Sequence, residues 1–205
     1  MKTIEYFYSA HSAFAYLGAG RLAEICAAHR CKIVHRPFDF RPVVSAATGS
    51  NYMDRSDAHM SYFFGREINR WAEWRNLPVI SHRPTYHDNP LDLANGLIIA
   101  AANAGADVDG LSFDILQSHW RDDSDIADPE TLITIANAAG LDGAGMITAA
   151  MSQAVQDQHR ANTAEAIKRS VFGSPTYFVD ADMFYGQDHL EMVERAIEKP
   201  FAPGP

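Results

Sequence analysis

The hydrophobic period changes twice along the chain, and this change constrains the fold more than any other feature. Residues Thr3–Ser9 alternate and are rich in β-formers, which predicts a strand. Apolar residues then recur at helical spacing from Ser12 to Arg30, and "KIVHRPFDF" predicts a second strand ending near Pro37. The opening is therefore β-α-β, with a connection long enough for a right-handed crossover between parallel strands.

The middle of the chain is predicted to be almost entirely helical. The stretch "RPVVSAATGSNYMDRS" is interpreted as a loop, because it is rich in Gly, Ser, Asn and Pro. Beyond it, apolar faces with helical spacing follow one another as far as residue 170. We see no internal repeat and no polar linker that would separate independent domains.

A strand period returns near the end of the chain. "SPTYFVD" and "MFY" predict a hairpin around Asp180-Ala181-Asp182, and "DHLEMVERAIEK" predicts a last helix. The order β-α-β, helical block, β-β-α indicates an α/β half-sheet split by an all-helical insertion. We place the α/β domain at residues 1–45 plus 171–205 and the insertion at residues 46–170.

Charge and hydropathy exclude several classes of partner. The chain carries 26 acidic and 17 basic side chains, a net charge of -9, which argues against nucleic acid and against an anionic membrane surface. The N-terminus lacks the apolar core of a signal peptide. The most apolar segment, "LANGLIIAAANAGA", is shorter than the ~20 residues of a membrane span. These features predict a soluble cytoplasmic protein.

The residues that often ligate metals do not form a metal motif. Cys26 and Cys31 are spaced C-x4-C, which is neither a C-x-x-C redox pair nor a zinc knuckle, so we interpret them as two reduced thiols. His82 and His87 are not a helical i, i+4 pair. The acidic stretch "RDDSDIAD" lacks the central Gly and closing Glu of a calcium loop. We predict no metal site.

Three motifs, in order, resemble one group of families. "SAFAYL" is similar to the S-P-[FY]-S-[YW]-L segment of 2-hydroxychromene-2-carboxylate isomerases and kappa-class glutathione transferases. "FGSPTYFVD" resembles their F-G-x-P-T segment, and "MFYGQDHLEMVE" resembles their [MF]-[FW]-x-G-[NSQ]-D-[RH]-L segment. "YFFGREINRWAEWRNLPV" resembles the isomerase branch. The resemblance covers nearly the whole chain and implies a DsbA-like, thioredoxin-like fold interrupted by a large helical insertion.

The resemblance implies glutathione as cofactor and Ser12 as the catalytic residue that holds its thiolate. The pKa of a free thiol is ~8.5, and it must fall by about two units for the thiol to be mostly ionised at neutral pH. This shift corresponds to roughly 2.7 kcal/mol. A hydroxyl donor gives ~1.5–3 kcal/mol and a helix N-terminus ~0.3–1 kcal/mol, so the two together suffice. The family has Pro where this chain has Ala13, and usually Lys or Arg near His59, which puts an anion contact there in doubt.

The other cofactor-binding residues that the resemblance implies each have a structural alternative. Ser12 is also an ordinary helix N-cap, and Pro175, implied to follow a cis bond to Ser174, is otherwise a trans residue at a loop end. Gln187 and Asp188 are implied to hold the γ-glutamyl group. Asp188 and Glu191 also form a D-x-x-E capping-box pattern. Asn51 is either a glutathione contact or a turn residue.

We therefore predict a glutathione-dependent cis-trans isomerase acting on 2-hydroxychromene-2-carboxylate or a related aromatic acid. Its mechanism would be reversible thiolate addition, and related proteins are commonly homodimers. The alternatives are a kappa-like glutathione transferase and a non-catalytic thioredoxin-like binding module. Candidate cations for the substrate carboxylate are Arg36, Arg41 and Arg83. Tryptophans near the cleft, among Trp71, Trp74 and Trp120, are candidates for its wall.

Overall fold

The computed structural model describes residues 1–49 and 55–202. The strands and helices, in chain order, are β1 (Thr3–Tyr8), α1 (Ala13–His29), β2 (Lys32–Pro37), α2 (Phe40–Thr48), α3 (Asp57–Met60), a π-helical segment (Ser61–Glu67), α4 (Ile68–Arg75), α5 (Asp92–Asn103), α6 (Val108–Arg121), α7 (Pro129–Ala138), α8 (Gly143–Ala150), α9 (Gln153–Lys168), β3 (Thr176–Val179), β4 (Asp182–Tyr185), a 3₁₀ turn (Gln187–His189) and α10 (Leu190–Glu198).

The strands form one mixed sheet in the order β2-β1-β3-β4. β1 pairs in parallel with β2, across the α1 crossover, and antiparallel with β3. β3 and β4 form the hairpin, with Asp180 in the left-handed region at its turn. This topology confirms the thioredoxin-like fold with a helical insertion.

Alternation along β1 divides the core between the two faces of the sheet. Tyr6 and Tyr8 are buried on one face, where the ring of Tyr6 stacks on those of Tyr8 and Tyr177 at 4.1 and 5.3 Å. Phe7 faces the other way and packs edge-on against Phe178. Because successive side chains of a strand point to opposite faces, one strand supplies both layers of the core.

The prediction of a loop after β2 is wrong for the residues of α2, which form a helix. This segment is helical because Val43 and Val44 are both buried, which outweighs the turn-forming composition. Pro42 lies in the first turn, where its missing N–H costs nothing, and Gly49 ends the helix with a positive φ of 67°. The domain boundary predicted between residues 45 and 46 falls inside helix α2, and it stays a prediction.

The helical insertion packs directly against the sheet domain. Helices α5 and α9 both contact β2, and α6 contacts α1. Within the described ranges, no helix is long and apolar enough to cross a membrane. Cys26 is buried and Cys31 is half-buried, and both are free thiols. Burial, followed by the neighbouring Cys31, raises the pKa of Cys26 to about 12, which keeps this thiol protonated.

Candidate functional site

Ser12 lies at the junction between β1 and α1, and its hydroxyl makes two hydrogen bonds. It accepts from the Ala15 amide at 3.3 Å, which is the N-cap geometry expected for a serine before a helix. It also donates to the carbonyl oxygen of Ser174 at 3.1 Å. The predicted cap is therefore present, and a second bond links it to the segment before β3.

The Ser174–Pro175 peptide bond is cis, as the resemblance implies. The Ser174 hydroxyl accepts a hydrogen bond from the Ser9 amide at 3.0 Å, so this segment is tied to the end of β1 as well as to Ser12. Ser174 is buried, but it lines the wall of a cavity together with Ser12. The structure thus brings together three predicted site residues, Ser12, Ser174 and Pro175.

The cavity beside Ser12 has a largely aromatic wall. The π-helical segment contributes Phe63 and Phe64, and a π-helical turn places side chains differently from an α-helix, often at functional sites. Arg55 lies 5.9 and 5.7 Å from the rings of Phe63 and Phe64 and lines the same cavity. The remaining aromatic wall is formed by Phe14, Phe40, Trp120, Phe172 and Tyr185.

Several of these wall residues were missed by the sequence analysis. Arg55 lies near the end of the stretch "RPVVSAATGSNYMDRS", which the sequence analysis interpreted as a loop. Tyr185 is the last residue of a strand too short for its alternation to show which side chains face the cavity. Among the predicted tryptophans, Trp120 lines this cavity, and Trp71 lines the adjoining one. Trp74 is 79% exposed.

A second cavity of about 220 Å³ adjoins the first through Phe14, Phe63, Ser174 and Tyr185. Gln187 and Asp188 are in its wall, in the 3₁₀ turn that follows β4. Gln187 Oε1 accepts from Arg75 at 3.4 Å, while its Nε2 is buried and finds no acceptor among residues 1–49 and 55–202. Leaving a buried amide donor without a partner costs ~1–3 kcal/mol.

The capping box predicted from Asp188 and Glu191 is not formed. Helix α10 begins after His189, and no side chain caps it. The reason is the 3₁₀ turn Gln187–His189, after which the α-helix begins at Leu190 and not directly after Asp188. The Asp188 carboxylate instead lies 3.5 Å from His189 Nδ1.

Gly18 allows the 3₁₀ turn to approach α1. A Cβ at this position would lie 2.6 Å from the Cβ of Gln187 and 3.1 Å from the hydroxyl of Tyr177. Real Cβ atoms do not approach carbon this closely, so only glycine fits here without moving the turn. The position of Gln187 therefore depends on a residue in the middle of α1.

Three imidazoles form a cluster beside Ser12, and two of them, His11 and His87, line the same cavity as Ser12. The rings of His11 and His87 are 4.6 Å apart, and His87 Nδ1 lies 2.9 Å from His119 Nε2. Burial lowers the pKa of all three, and for His87 it acts with the charges of His119 and Arg83 to give about 3. All three rings are therefore neutral near pH 7. The sequence analysis considered His87 only as a metal ligand and did not single out His11 or His119.

The predicted cations differ in their surroundings. Arg36 lies in β2 and contacts Glu5 at 3.4 Å. Arg83 donates two hydrogen bonds, of 2.9 and 2.7 Å, to Asp88. Arg41 is 3.5 Å from Asp88 and lines a polar cavity of about 220 Å³ with His11 and His87.

The remaining positions named in the sequence analysis are Asn51, His59, His82 and His87. Asn51 is outside the described residues. His59 is exposed at the end of α3, with its ring 5.7 Å from that of Phe63. His82 pairs with Asp123 at 3.3 Å, whereas His87 pairs with His119. Among the described residues, no group of three or more His, Cys, Asp or Glu side chains is arranged to hold a metal ion.

The fold and this site define a class. A model of the DsbA-like thioredoxin domain matches residues 3–198, so the chain belongs to the DsbA-like thioredoxin family. Ser12 and Ala15 occupy the positions where a C-x-x-C pair would carry disulfide chemistry, so this member lacks that pair.

Comparison with individual proteins points to one branch of the family. A 2-hydroxychromene-2-carboxylate isomerase from Sphingobium xenophagum is 28% identical over 196 residues, covering 94% of this chain and 96% of the relative. The protein of the same name from Pseudomonas putida is 24% identical, with 95% and 93% coverage. The resemblance inferred from the motifs is thereby confirmed.

Solved structures agree on the fold. The structure of a 2-hydroxychromene-2-carboxylate isomerase aligns with a TM-score of 0.78 at 20% identity, covering 96% of this chain and 95% of that one. The cytosolic disulfide reductase DsbM from Pseudomonas aeruginosa, solved with GSH, aligns with a TM-score of 0.65 at 14% identity, with 97% and 93% coverage.

Proposed function

We propose that this protein is a glutathione-dependent cis-trans isomerase acting on 2-hydroxychromene-2-carboxylate or a related aromatic acid. The observation that carries the proposal is the 3.1 Å hydrogen bond from Ser12, at the start of α1, to the carbonyl of Ser174 at the cis-proline, inside a cavity. Relatives named for this isomerase at 28% and 24% identity support the substrate class. A fold neighbour solved with GSH supports the cofactor.

The residues present fit a γ-glutamyl tripeptide. Gln187 Nε2 is a buried donor without an acceptor among the described residues, and Gln187 lines the cavity that Ser174 also lines. Arg75 Nε is a second buried donor without an acceptor among the described residues, and another nitrogen of the same guanidinium donates to the side-chain oxygen of Gln187. We assign Gln187 and the 3₁₀ turn containing Asp188 to the γ-glutamyl end, and Ser174 to the backbone of the cysteinyl unit. Asn51 stays a candidate contact.

Ser12 has one hydroxyl proton, and in this structure it is directed to Ser174 O. When the hydroxyl turns toward a thiolate, the carbonyl of Ser174 becomes free to accept a peptide N–H of the same ligand. The amide of Ala15 keeps its bond to Ser12 Oγ throughout, so the helix cap survives the exchange. One rotation of Ser12 thus exposes both a donor for the sulfur and an acceptor for the ligand backbone.

Bound glutathione would supply a thiolate that adds reversibly to the conjugated double bond, so that this bond can rotate. The chain's own part is to keep the sulfur anionic and the substrate oriented. The aromatic wall around Phe63, Phe64 and Trp120 suits the flat ring of the acid. Arg41 is the best placed of the three predicted cations, since Arg36 is engaged in the sheet by Glu5 and Arg83 is held by both oxygens of Asp88.

The test supplies 2-hydroxychromene-2-carboxylate in large excess over glutathione and follows both the trans product and the free thiol. We expect many turnovers per glutathione, with the thiol concentration constant. Stoichiometric loss of thiol would instead support the kappa-like transferase. If calorimetry shows no glutathione binding at millimolar concentration, the protein is a binding module of another kind and the proposed function is wrong.

A further inference from the structure

The imidazole cluster beside Ser12 has a fixed proton arrangement that follows from its hydrogen bonds. The chain of contacts begins at the carbonyl oxygen of Ser124, which lies 3.2 Å from His119 Nδ1. A carbonyl can only accept, so His119 Nδ1 carries the proton. In a neutral imidazole the other nitrogen is then bare, and His119 Nε2 is therefore an acceptor.

The same reasoning applies to His87. Its Nδ1 is 2.9 Å from the acceptor His119 Nε2, so His87 Nδ1 is protonated and donates. Because this ring is neutral as well, His87 Nε2 carries a lone pair and no proton. That nitrogen makes no hydrogen bond to any residue in the ranges 1–49 and 55–202, and it is not sealed from solvent.

His87 stands where three cavities meet. It lines the aromatic cavity with Ser12, the polar cavity with Arg41, and a third cavity of about 330 Å³ bordered by Met60 and Ile68. Its ring is held between His11 at 4.6 Å and the edge of Trp120 at 5.5 Å. Trp120 in turn donates from its indole nitrogen to the carbonyl of His11 at 2.9 Å, which couples the ring to the residue before Ser12.

The charged and titratable groups around His87 come from several elements. His11 precedes α1, Arg41 is on α2, Arg83 and Asp88 flank the loop, and His119 is on α6. Burial and the cations favour the neutral ring, while Asp88 opposes them. A carboxylate ligand near Arg41 adds negative charge and so raises the proton affinity of His87 while it is bound.

We propose that His87 is the proton carrier of the reaction, accepting at Nε2 the hydroxyl proton of a cyclic 2-hydroxy acid bound in the cavity. This proposal rests on the proposed function. A 2-hydroxychromene-2-carboxylate is a cyclic hemiketal, so its double bond is locked cis until the ring opens. The carbon that bears the hydroxyl also bears the carboxylate, which matches the presence of His87 and Arg41 in one cavity.

The step balances without any further reactant. The hydroxyl O–H bond breaks and its proton passes to His87 Nε2, while the carbon–oxygen bond of the ring breaks as the ketone forms. The released ring oxygen takes the proton back and becomes a phenol, so His87 ends in its starting form. While His87 holds the proton, its Nδ1 still donates to His119 Nε2, and His119 Nδ1 donates to the Ser124 carbonyl, so these hydrogen bonds stabilise the protonated ring.

The first test is independent of activity. Nitrogen-15 NMR of histidine-labelled protein near pH 7 should show a protonated Nδ1 and a non-protonated Nε2 at His87. A protonated Nε2 would overturn the proposal, because that ring could not accept the hydroxyl proton.

The second test compares His87→Gln with His82→Gln, an exposed histidine of the same loop, on two substrates. The first substrate is 2-hydroxychromene-2-carboxylate, and the second is cis-2-methoxybenzylidenepyruvate, whose methyl ether cannot close a ring and needs no proton carrier. We expect His87→Gln to lose about 100-fold or more in kcat on the cyclic acid, the usual contribution of a general acid-base group. It should keep the wild-type rate on the methyl ether and the wild-type affinity for glutathione, and His82→Gln should match wild type throughout.

The outcomes separate the two levels of the proposal. If His87→Gln loses activity equally on both substrates, the ring only shapes the cavity and the assignment is wrong. If the variant keeps full activity on the cyclic acid, the assignment is also wrong. If wild type isomerises neither substrate, the proposed function itself fails, and the role of His87 fails with it.

Discussion

Helices α1 and α9 begin in the same way but in different surroundings. Ser12 and Ser152 both have extended backbone, and each hydroxyl accepts from an amide three residues later, at 3.3 and 3.4 Å. Ser12 also donates across the fold, to Ser174 O, and lines the aromatic cavity, whereas Ser152 makes no such bond to the residues that the structure describes. A serine cap is thus a common helix feature, and what distinguishes Ser12 is the cis-proline segment placed opposite it.

The sharpest way to break this comparison is to remove each hydroxyl in turn. Ser12→Ala loses the donor proposed to hold the thiolate, worth ~1.5–3 kcal/mol, so kcat/KM for the aromatic acid should fall ~10- to 150-fold. Ser152→Ala should leave kcat/KM unchanged. Steady-state kinetics at saturating glutathione, with the pKa of the bound thiol followed by its ultraviolet absorbance, measure both effects.

Stability provides the control for this pair. Each variant loses one N-cap hydrogen bond, worth about 1 kcal/mol of unfolding free energy in urea. Ser12→Ala also loses the hydrogen bond to Ser174 O, so it should lose a further ~0.5–1.5 kcal/mol. A folded Ser12→Ala variant with low activity, beside a Ser152→Ala variant with unchanged activity, would assign the difference to the second role of Ser12. Equal activities would leave Ser12 as an ordinary cap.

The fold could be predicted from the sequence because its signals are local. The alternating run in β1, the helical period of α1 and the hairpin at Asp180–Asp182 each depend on neighbouring residues only. Helix α2 was mispredicted because its turn-forming composition is overridden by the burial of Val43 and Val44, a tertiary effect. The capping box at Asp188 failed because a 3₁₀ turn shifts the start of α10.

The site was predictable only where a motif preserves it. Ser12, Ser174 and Pro175 lie in motifs shared with a family, and the structure brings them together. His11, His87 and His119 come from three separate segments without a common spacing, so their contacts arise only from the packing of α6 and the loop against α1. Arg55 enters the cavity in the same way, from a segment without a periodic pattern.

The comparison of α1 with a simple capped helix can be extended to its glycines. Gly18→Ala would place a methyl group 2.6 Å from the Cβ of Gln187, so we expect a loss of ~1–3 kcal/mol and weaker glutathione binding as the 3₁₀ turn moves. Gly20→Ala, two residues along the same helix with open space around it, should gain ~0.5–1 kcal/mol from helix propensity. Urea unfolding and calorimetry test both, and a stabilising Gly18→Ala would show that the turn is not held against α1.

The two helix starts also differ in the residue before the cap, and this difference predicts a pH effect. Met151 precedes Ser152, whereas His11 precedes Ser12 and contacts His87, whose pKa is lowered by burial from 6.5 to about 3. Between these pH values the unfolded chain binds a proton that the native state excludes, so the unfolding free energy is largest above pH 6.5 and falls as the pH decreases toward 3. The slope is at most about 1.4 kcal/mol per pH unit for this residue. Urea unfolding at several pH values should therefore give a shallower decline for His87→Gln than for wild type, and parallel declines would mean that His87 titrates freely in the native state.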